Sequence, residues 1–472
     1  MVRALLRAPL RFRRITVPTA PVLSRRYSSD PVDQAVNTPS TTNQEYPAQF
    51  TSNDFVPEKK AEIKGISFGQ ETLTLETNGR PCELSFIRLR DGCKCPLCVD
   101  VHSKQRKFRF SDIPLDIKAN SFQWDGKSLA LTWNKDVPGF KASHVTRYDA
   151  KELHYAFDRG YKDSVGLERH RTGWNKDSMK SLQHWISYED YMHDNDKFAI
   201  AMRFLATLGL VFVKGIPDSR EMVEKIATRM GPVRDSFYGR TWDVRTVPQA
   251  RNVAYTNQFL GFHMDLMYMN DPPGFQLLHC LRNSCDGGES LFADTFRIAA
   301  VMKTNNRHYF DILANTSLTY EYQHKDNSYQ NTWPVFEARP TTNPLNTVTH
   351  VNYSPPFQGF RQPEPGAKLS IPREQEELAA LSHFARLLES EQNIFELKLQ
   401  PGECVIFENR RVVHARRQFN TTSGERWLAG AYVDEDAVLS RFQVLKESNP
   451  VSWDKLTLGL LRLLPAKKLQ TF

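Results

Sequence analysis

From Asn252 to Val433 the chain is a succession of short apolar runs, many alternating with polar residues and separated by turn residues. One stretch of helical spacing, Arg373 to Ser390, interrupts them. A period of two belongs to β-strands, because successive side chains leave opposite faces of the backbone. Many short strands, each with a face to bury, must pack on one another, which confines this region to a layered or closed β architecture. A double-stranded β-helix, or jelly roll, with flanking helices is the expected fold. The flanking helices are predicted over Tyr188–Leu208 and Ser219–Met230, with Gly209-Leu-Val-Phe-Val-Lys-Gly215 a buried strand between them.

At 472 residues the chain exceeds one ordinary core, so a second domain is expected. Short alternating runs begin near Ala61: Ile63 to Phe68, Glu71 to Glu76 and Cys82 to Leu89. They read as strands with turns at Asn78-Gly79 and Asp91-Gly92, and Asp125-Gly126 marks a further hairpin. The reading is a small β-rich domain over 61–155, a polar separator from His154 to Lys180, and the jelly roll over 175–448. Residues 30–60 read as a polar, aperiodic linker. The tail, 449–472, carries leucines and Lys467-Lys468 suited to a short amphipathic helix.

The formal net charge is +8, but seven arginines and no acidic residue lie between Met1 and Ser29. Without those seven, the 62 basic residues fall to 55 against 54 acidic ones. The body of the protein is close to neutral, which argues against a nucleic-acid surface. An arginine-rich, acid-free start with Leu5, Leu6 and Leu10 has the composition of a mitochondrial presequence over 1–29, and implies a matrix enzyme. The alternative is a disordered basic tail. Mean hydropathy is −0.52 and no uncharged apolar run approaches 18 residues, so no membrane span is expected.

Three of the seven cysteines crowd into Cys93-Lys-Cys95-Pro-Leu-Cys98, a tight turn of thiolates that suits a metal better than disulfides. A closed tetrahedral zinc site needs a fourth ligand, and both His102 and His144 qualify. Such a site would staple a domain whose own core is thin.

The chemistry centres on Gly261-Phe262-His263-Met264-Asp265. On a strand, His263 and Asp265 share a face and can offer an imidazole and a carboxylate to one ion. Alone, His-x-Asp is usually a hydrogen-bonded pair. A later histidine, His414, sits on a strand following the turn at Pro401-Gly402, and two histidines with one carboxylate form the facial triad of non-haem iron(II) oxygenases. Arg426, twelve residues beyond His414, lies on the next strand, where its planar fork can pair with the distal carboxylate of 2-oxoglutarate.

From about Gly65 to Leu445 the chain resembles the γ-butyrobetaine dioxygenase and trimethyllysine dioxygenase group of the taurine dioxygenase-like superfamily. The matching stretches are Tyr238-Gly-Arg-Thr-Trp242, Asn252-Val-Ala-Tyr255, Phe262-His-Met-Asp265, Pro272-Pro-Gly-Phe-Gln-Leu-Leu-His-Cys280, Gly287-Gly-Glu-Ser290 and His414-Ala-Arg-Arg417. The resemblance implies that His263, Asp265 and His414 bind iron(II). It makes Arg426, with Ser290 as hydroxyl partner, the anchor for 2-oxoglutarate, and ascorbate the reductant. It favours His144 over His102 as the fourth zinc ligand, placing it just before a helix start, and it implies a homodimer. It also places Tyr238, Trp242, Tyr255 and Tyr432 in an aromatic cage for a trimethylammonium group, which aromatic faces attract because it lacks a proton to donate. Asn252 and Asn352 become candidate polar partners of the substrate. The Asn252 motif and Trp242 point to γ-butyrobetaine, and the leader points to trimethyllysine; the pocket carries more weight than the address. A non-catalytic jelly roll that binds quaternary amines or proteins is the alternative of another class, and it would need neither the triad nor Arg426.

Overall fold

The computed structural model describes residues 63–77, 81–150, 152–153, 169, 171–246, 253–338, 347–360, 370–450 and 453. The leader, the linker, Asn252 and nearly all of the tail lie outside the described residues, as does the turn at Asn78-Gly79.

The small N-terminal region is built from a pair of three-stranded antiparallel sheets. One has the order β1 (Ile63–Phe68), β2 (Thr72–Thr77), β3 (Cys82–Ser85), and the other β4 (Ala119–Trp124), β5 (Ser128–Trp133), β6 (Thr146–Asp149). Alternate residues Leu73 and Leu75 of β2, and Leu129 and Leu131 of β5, enter one core with Phe86, Leu89 and Trp133. Each such side chain contributes roughly 1.5–3 kcal/mol when fully buried. The expected strand from Cys82 to Leu89 stops early. The Ser85 hydroxyl accepts from the Arg88 N–H and starts a helix over Phe86–Asp91, so Asp91-Gly92 is a helix end rather than a hairpin turn. The predicted hairpin at Asp125-Gly126 joins β4 to β5, with Gly126 at φ +85°.

The larger C-terminal region is organised around a pair of facing sheets. Six strands run in the order β7 (Trp185–Ser187), β8 (Leu210–Lys214), β18 (Cys404–Glu408), β11 (Phe275–Asn283), β20 (Arg426–Val433), β9 (Thr241–Val244). Four run in the order β10 (Leu260–His263), β19 (Val412–Arg416), β12 (Ser290–Asp294), β17 (Phe395–Leu397). All these pairings are antiparallel except β7 with β8. Between β12 and β17 lie two further antiparallel pairs, β13 (Ser317–Gln323) with β14 (Ser328–Pro334) and β15 (Phe336–Ala338) with β16 (Val348–Val351). Their Tyr320, Phe336 and Val351 share a core with Phe384 of the helix Ile371–Glu389, the helical interruption expected there.

Strand β11 shows the period of two at work. Phe275, Leu277 and Leu281 pack under the helices Asn195–Leu208, Met222–Met230 and Glu435–Ser448. Leu278 and Cys280 turn the other way and meet Phe292 and Val412 of the four-stranded sheet. This is a mainly β jelly roll with flanking helices, as expected.

The helices are interrupted where the sequence supplies caps. Asp194 accepts from the N–H groups of Asp196 and Lys197 and splits the predicted Tyr188–Leu208 helix in two. Gly209 ends the second half in the left-handed conformation (φ +73°), and a Cβ there would lie 2.9 Å from the Arg411 side chain. The supposed polar separator is partly core. Arg169 and Arg171 both donate to Glu408 Oε1 (3.0 and 3.2 Å), and Trp174 is fully buried with its indole N–H on the Leu208 carbonyl. Charged composition concealed this role, because paired arginines can be buried where lone ones cannot. Among the described residues no helix is long and apolar enough to cross a membrane.

Candidate active site

Strand β10 ends at His263 and pairs with β19 so that His263 stands directly opposite His414. The two rings are 4.1 Å apart between centroids. The chain leaves β10 through Asp265 and then Leu266, whose φ of +57° turns the backbone sharply. His263 Nδ1 donates to the Gly261 carbonyl (2.9 Å), which leaves Nε2 with its lone pair facing inward. Asp265 Oδ1 lies 3.4 Å from His263 Nε2 and 4.0 Å from His414 Nε2. One ligand atom from each of the three residues falls within 4.8 Å of the others.

These groups suit a divalent ion better than one another. The Asp265–histidine separations are long for strong hydrogen bonds, and His414 Nδ1 is buried without a hydrogen-bond partner among the described residues. Burial, with His263 alongside, pushes the His414 imidazole down to about 3, so it stays in the neutral form a metal requires. Burial works against ionisation of Asp265, but His263, His414 and Tyr432 outweigh it and hold the carboxyl at about 2. Two neutral nitrogens and one carboxylate oxygen leave open positions on an octahedral ion, which fits iron(II).

A single cavity joins this cluster to the other predicted residues. Tyr238, Trp242, Tyr255, Tyr432, Ser290 and Arg426 all line it together with the triad. Arg426 enters from the start of β20, is 7% exposed, and donates Nε to the Gly288 carbonyl (3.3 Å). Among the described residues no carboxylate lies within ion-pair distance of it. A buried guanidinium with no acid beside it is fitted to a carboxylate arriving with a ligand.

The aromatic wall is not uniform. Tyr238 meets Tyr255 edge-on at 6.5 Å, whereas Tyr432 stacks on Trp242 at 3.9 Å and donates its hydroxyl to Asp265 Oδ2 (2.6 Å). One face of Tyr432 and its polar tip are therefore already engaged. Gly430, beside Tyr432 on β20, lets the Trp242 indole lie against the sheet, since a Cβ there would fall 2.4 Å from the ring.

One predicted contact is corrected. Asn352 does not line the cavity. It is fully buried, its Oδ1 accepts from Arg410 Nε and Nη2 (3.0 and 2.7 Å), and its Nδ2 donates to the Pro334 carbonyl and to Glu337 (2.7 and 3.1 Å). With the whole amide committed to the scaffold, nothing is left for a substrate. Asn252 lies outside the described residues.

Other lining residues escaped the sequence reading. Tyr268 and Phe357 extend the aromatic wall, and Gln276 also lines the cavity, its buried amide Oε1 without a partner among the described residues. Tyr268 sits three residues past Asp265, a proximity that was the available signal. Arg416 donates to the carbonyls of Ala254, Thr256 and Gln258, each at 2.8 Å, and so ties down the loop that carries Tyr255.

A second cluster lies in the small N-terminal region. Nε2 of His144 is 3.6, 3.3 and 3.4 Å from the sulfurs of Cys93, Cys95 and Cys98, and its Nδ1 is 2.6 Å from Asp136 Oδ2. Asp136 is paired in turn with the buried Arg90. His102 is exposed and stands outside this group. His144 precedes strand β6 rather than a helix, which corrects the local context expected for it.

Two histidines and a carboxylate in one cavity with a buried arginine that has no acidic partner among the described residues, set between two facing sheets, define an oxygenase of the non-haem iron class. Residues 178–432 match the taurine catabolism dioxygenase TauD, TfdA family, and the chain belongs to that family. It is a 2-oxoglutarate-dependent dioxygenase of the branch that holds the γ-butyrobetaine and trimethyllysine enzymes. A dioxygenase of Strobilurus tenacellus is 32% identical over 377 residues, covering 76% of this chain and 85% of that protein. The γ-butyrobetaine dioxygenase of Homo sapiens is 29% identical, covering 76% and 90%. The mitochondrial trimethyllysine dioxygenase of Bos taurus is 26% identical, covering 76% and 82%. Membership in a family of dioxygenases removes the reading as a non-catalytic binding module.

Proposed function

We propose that this dioxygenase hydroxylates γ-butyrobetaine to L-carnitine. The observation that carries the reading is the wall of Tyr238, Trp242, Tyr255 and Tyr432 beside the triad in one cavity. Aromatic faces attract a trimethylammonium group, which offers no hydrogen-bond donor. Among the described residues lining the cavity Asp265 is the only carboxylate, and the ion claims it. The α-ammonium of trimethyllysine would find no acidic partner there, which favours γ-butyrobetaine.

His263, Asp265 and His414 hold the iron(II), and Arg426 with Ser290 holds the far carboxylate of 2-oxoglutarate. Bound there, iron(II) supplies O2 activation coupled to decarboxylation: substrate C–H, O2 and 2-oxoglutarate give substrate C–OH, succinate and CO2. The protein's role is orientation. Arg426 fixes the cosubstrate at one end, the aromatic wall fixes the cation at the other, and the apolar residues Leu260, Leu278, Phe292 and Leu428 limit water between them. Tyr432, its phenol pushed well above its ordinary range by burial and by Asp265, stays protonated and keeps donating to the carboxylate.

The wider assignment has four further elements. Cys93, Cys95, Cys98 and His144 form a structural zinc site, with Asp136 setting the tautomer of His144. Ascorbate keeps the iron reduced. The acid-free segment Met1–Ser29 supports delivery to the mitochondrial matrix, and the resemblance supports a homodimer. The deciding experiment is succinate release by the iron-loaded protein with γ-butyrobetaine and trimethyllysine offered in parallel, with mass detection of the product. Preference for γ-butyrobetaine is expected. Preference for trimethyllysine would replace this reading with 3-hydroxylation of that amino acid, and turnover of neither would send the search to other quaternary amines.

A further inference from the structure

The end of β18 and the turn into β19 cross from one sheet to the other through four polar residues, Glu408-Asn409-Arg410-Arg411, none more than 8% exposed. Each reaches a different region of the fold. Glu408 accepts from Arg169 and Arg171, Arg410 binds Asn352 and Glu337, and Arg411 binds Asp294. Asn409 is the member that reaches the triad. It is fully buried, and its Oδ1 accepts from the Asp265 N–H at 2.9 Å. Its Nδ2 donates to the Asp265 carbonyl and to the Pro273 carbonyl, both at 3.0 Å. Its own backbone N–H donates to the Gly274 carbonyl at 2.8 Å.

We infer that Asn409 is a positioning residue for the metal: its amide brackets the peptide groups on both sides of Asp265 and so sets where that carboxylate stands relative to His263 and His414. The inference rests on the reading of those three residues as the iron ligands. Two features make the bracket consequential. Leu266, which shares the peptide bond whose carbonyl Asn409 holds, has φ +57°, a conformation unfavourable for a residue with a branched side chain. Such a kink persists where its surroundings over-determine it, and the Asn409 amide is among those surroundings. Second, only two side-chain torsions separate an aspartate backbone from its carboxylate, so backbone drift is passed to the ligand oxygen. Metal–ligand distances tolerate only a few tenths of an ångström. Asn409 also lies five residues before His414, so one short stretch of chain carries one ligand and holds the backbone of another.

The experiment uses the full chain freed of metal and titrated with Mn(II), which favours nitrogen and oxygen donors over thiolates and so reports on the triad rather than on the cysteine cluster. Binding is read by the electron paramagnetic resonance signal of free Mn(II), and the fold of the metal-free protein by circular dichroism. Wild-type protein binding one Mn(II), and His263→Ala losing it, establishes that the triad is the site being read. Equal binding by those two proteins would instead overturn the triad reading itself.

Asn409→Leu, close in shape but without the amide, is expected to weaken Mn(II) binding by about 10- to 100-fold while remaining folded. Asn393→Leu is the control for loss of a buried amide elsewhere. Asn393 donates to Leu387 and Ser390 and accepts from Arg297, and Mn(II) affinity should be unchanged by its replacement. Wild-type affinity in folded Asn409→Leu, or an equal loss in Asn393→Leu, would overturn the inference. If Asn409→Leu does not fold, Asn409→Asp decides. It keeps the bond from the Asp265 N–H and loses both donations, so weaker Mn(II) binding supports the role and wild-type binding overturns it.

Discussion

The hydroxyl of Tyr432 donates a 2.6 Å hydrogen bond to Oδ2 of Asp265, while Oδ1 of the same carboxylate faces His263 and His414. The carboxylate is thereby divided, one oxygen bonded to Tyr432 and the other turned toward the two histidines. Tyr432→Phe keeps the ring against Trp242 and removes only this bond, which for a charged acceptor is worth about 1.5–3 kcal/mol. Iron affinity should fall by about tenfold, with the KM for the quaternary amine little changed, while Tyr432→Ala should lose both. Metal titration alongside steady-state kinetics checks this. An unaltered metal affinity in Tyr432→Phe would reduce Tyr432 to a stacking residue.

Arg426 has no acidic partner among the described residues, so its loss should be felt as loss of a ligand contact more than of stability. Arg426→Gln is expected to raise the KM for 2-oxoglutarate by about a hundredfold, the loss of a charge-assisted pair worth roughly 3 kcal/mol. Arg426→Lys should recover some of it, because an ammonium cannot reproduce the two parallel bonds of the guanidinium. Rates measured against 2-oxoglutarate concentration test the assignment, and an unchanged KM in Arg426→Gln would sink it.

Gly430 faces the Trp242 indole so closely that a methyl group has no room. Gly430→Ala should displace Trp242 from the aromatic wall, cost about 1–3 kcal/mol of stability, and raise the KM for the trimethylammonium substrate. The KM for 2-oxoglutarate, assigned to the Arg426 end, should move far less. Thermal melts and the two KM values together decide; a normal amine KM would mean that Trp242 does not belong to the recognition surface.

The histidine bridge behind the site makes stability depend on pH. His350 Nδ1 is 2.9 Å from Glu337 and its Nε2 is 2.9 Å from Glu435. Burial opposes protonation of His350, but the two carboxylates outweigh it and raise its pKa above 6.5. Its contribution is then full below 6.5 and is lost as pH rises through the raised value. Burial likewise opposes ionisation of both glutamates, yet His350, with the nearby arginines, holds each at about 2. Their contribution is present above 4.5 and is lost as pH falls toward 2. The bridge therefore stabilises most between about 4.5 and 6.5. The difference in unfolding free energy between wild type and His350→Gln should shrink as pH rises above that window. Denaturant melts across the range will show it, and a pH-independent difference would refute the bridge.

For the cluster of Cys93, Cys95, Cys98 and His144, one zinc per chain is expected by elemental analysis, separate from the iron. His144→Ala should release it and lower the melting temperature, because binding free energy is folding free energy in such sites. His102→Ala should retain it. The reverse pattern would exchange the two histidines.

Much of the active site was legible because it obeys local rules. The two-residue spacing kept Asp265 near His263 although β10 ends at His263 and Asp265 stands in the turn beyond it, a later strand supplied His414, and Arg426 stood one strand further on. The motif aromatics and Ser290 reached the same cavity for the same reason. What the one-dimensional pattern misjudged was polar residues that serve as scaffold. Asn352 looked like a substrate contact and is a brace for Arg410; Arg169 and Arg171 looked like part of a polar separator and hold Glu408. Composition records that a residue is polar, and only its partners decide whether it meets solvent, substrate or another buried charge.

Sequence alone thus determined which side chains are on offer for the chemistry: the candidate ligands, Arg426 and the motif aromatics are local properties, carried by residues a few positions apart or by motifs on successive strands. Tertiary structure decided how that chemistry is held. The Asn409 clamp on Asp265 spans 144 residues, and the bond from Tyr432 to the same carboxylate spans 167. Contacts of that separation leave no periodic trace along the chain, since they exist only once the two sheets have closed and brought the end of β10 against the turn from β18 to β19 and the far end of β20.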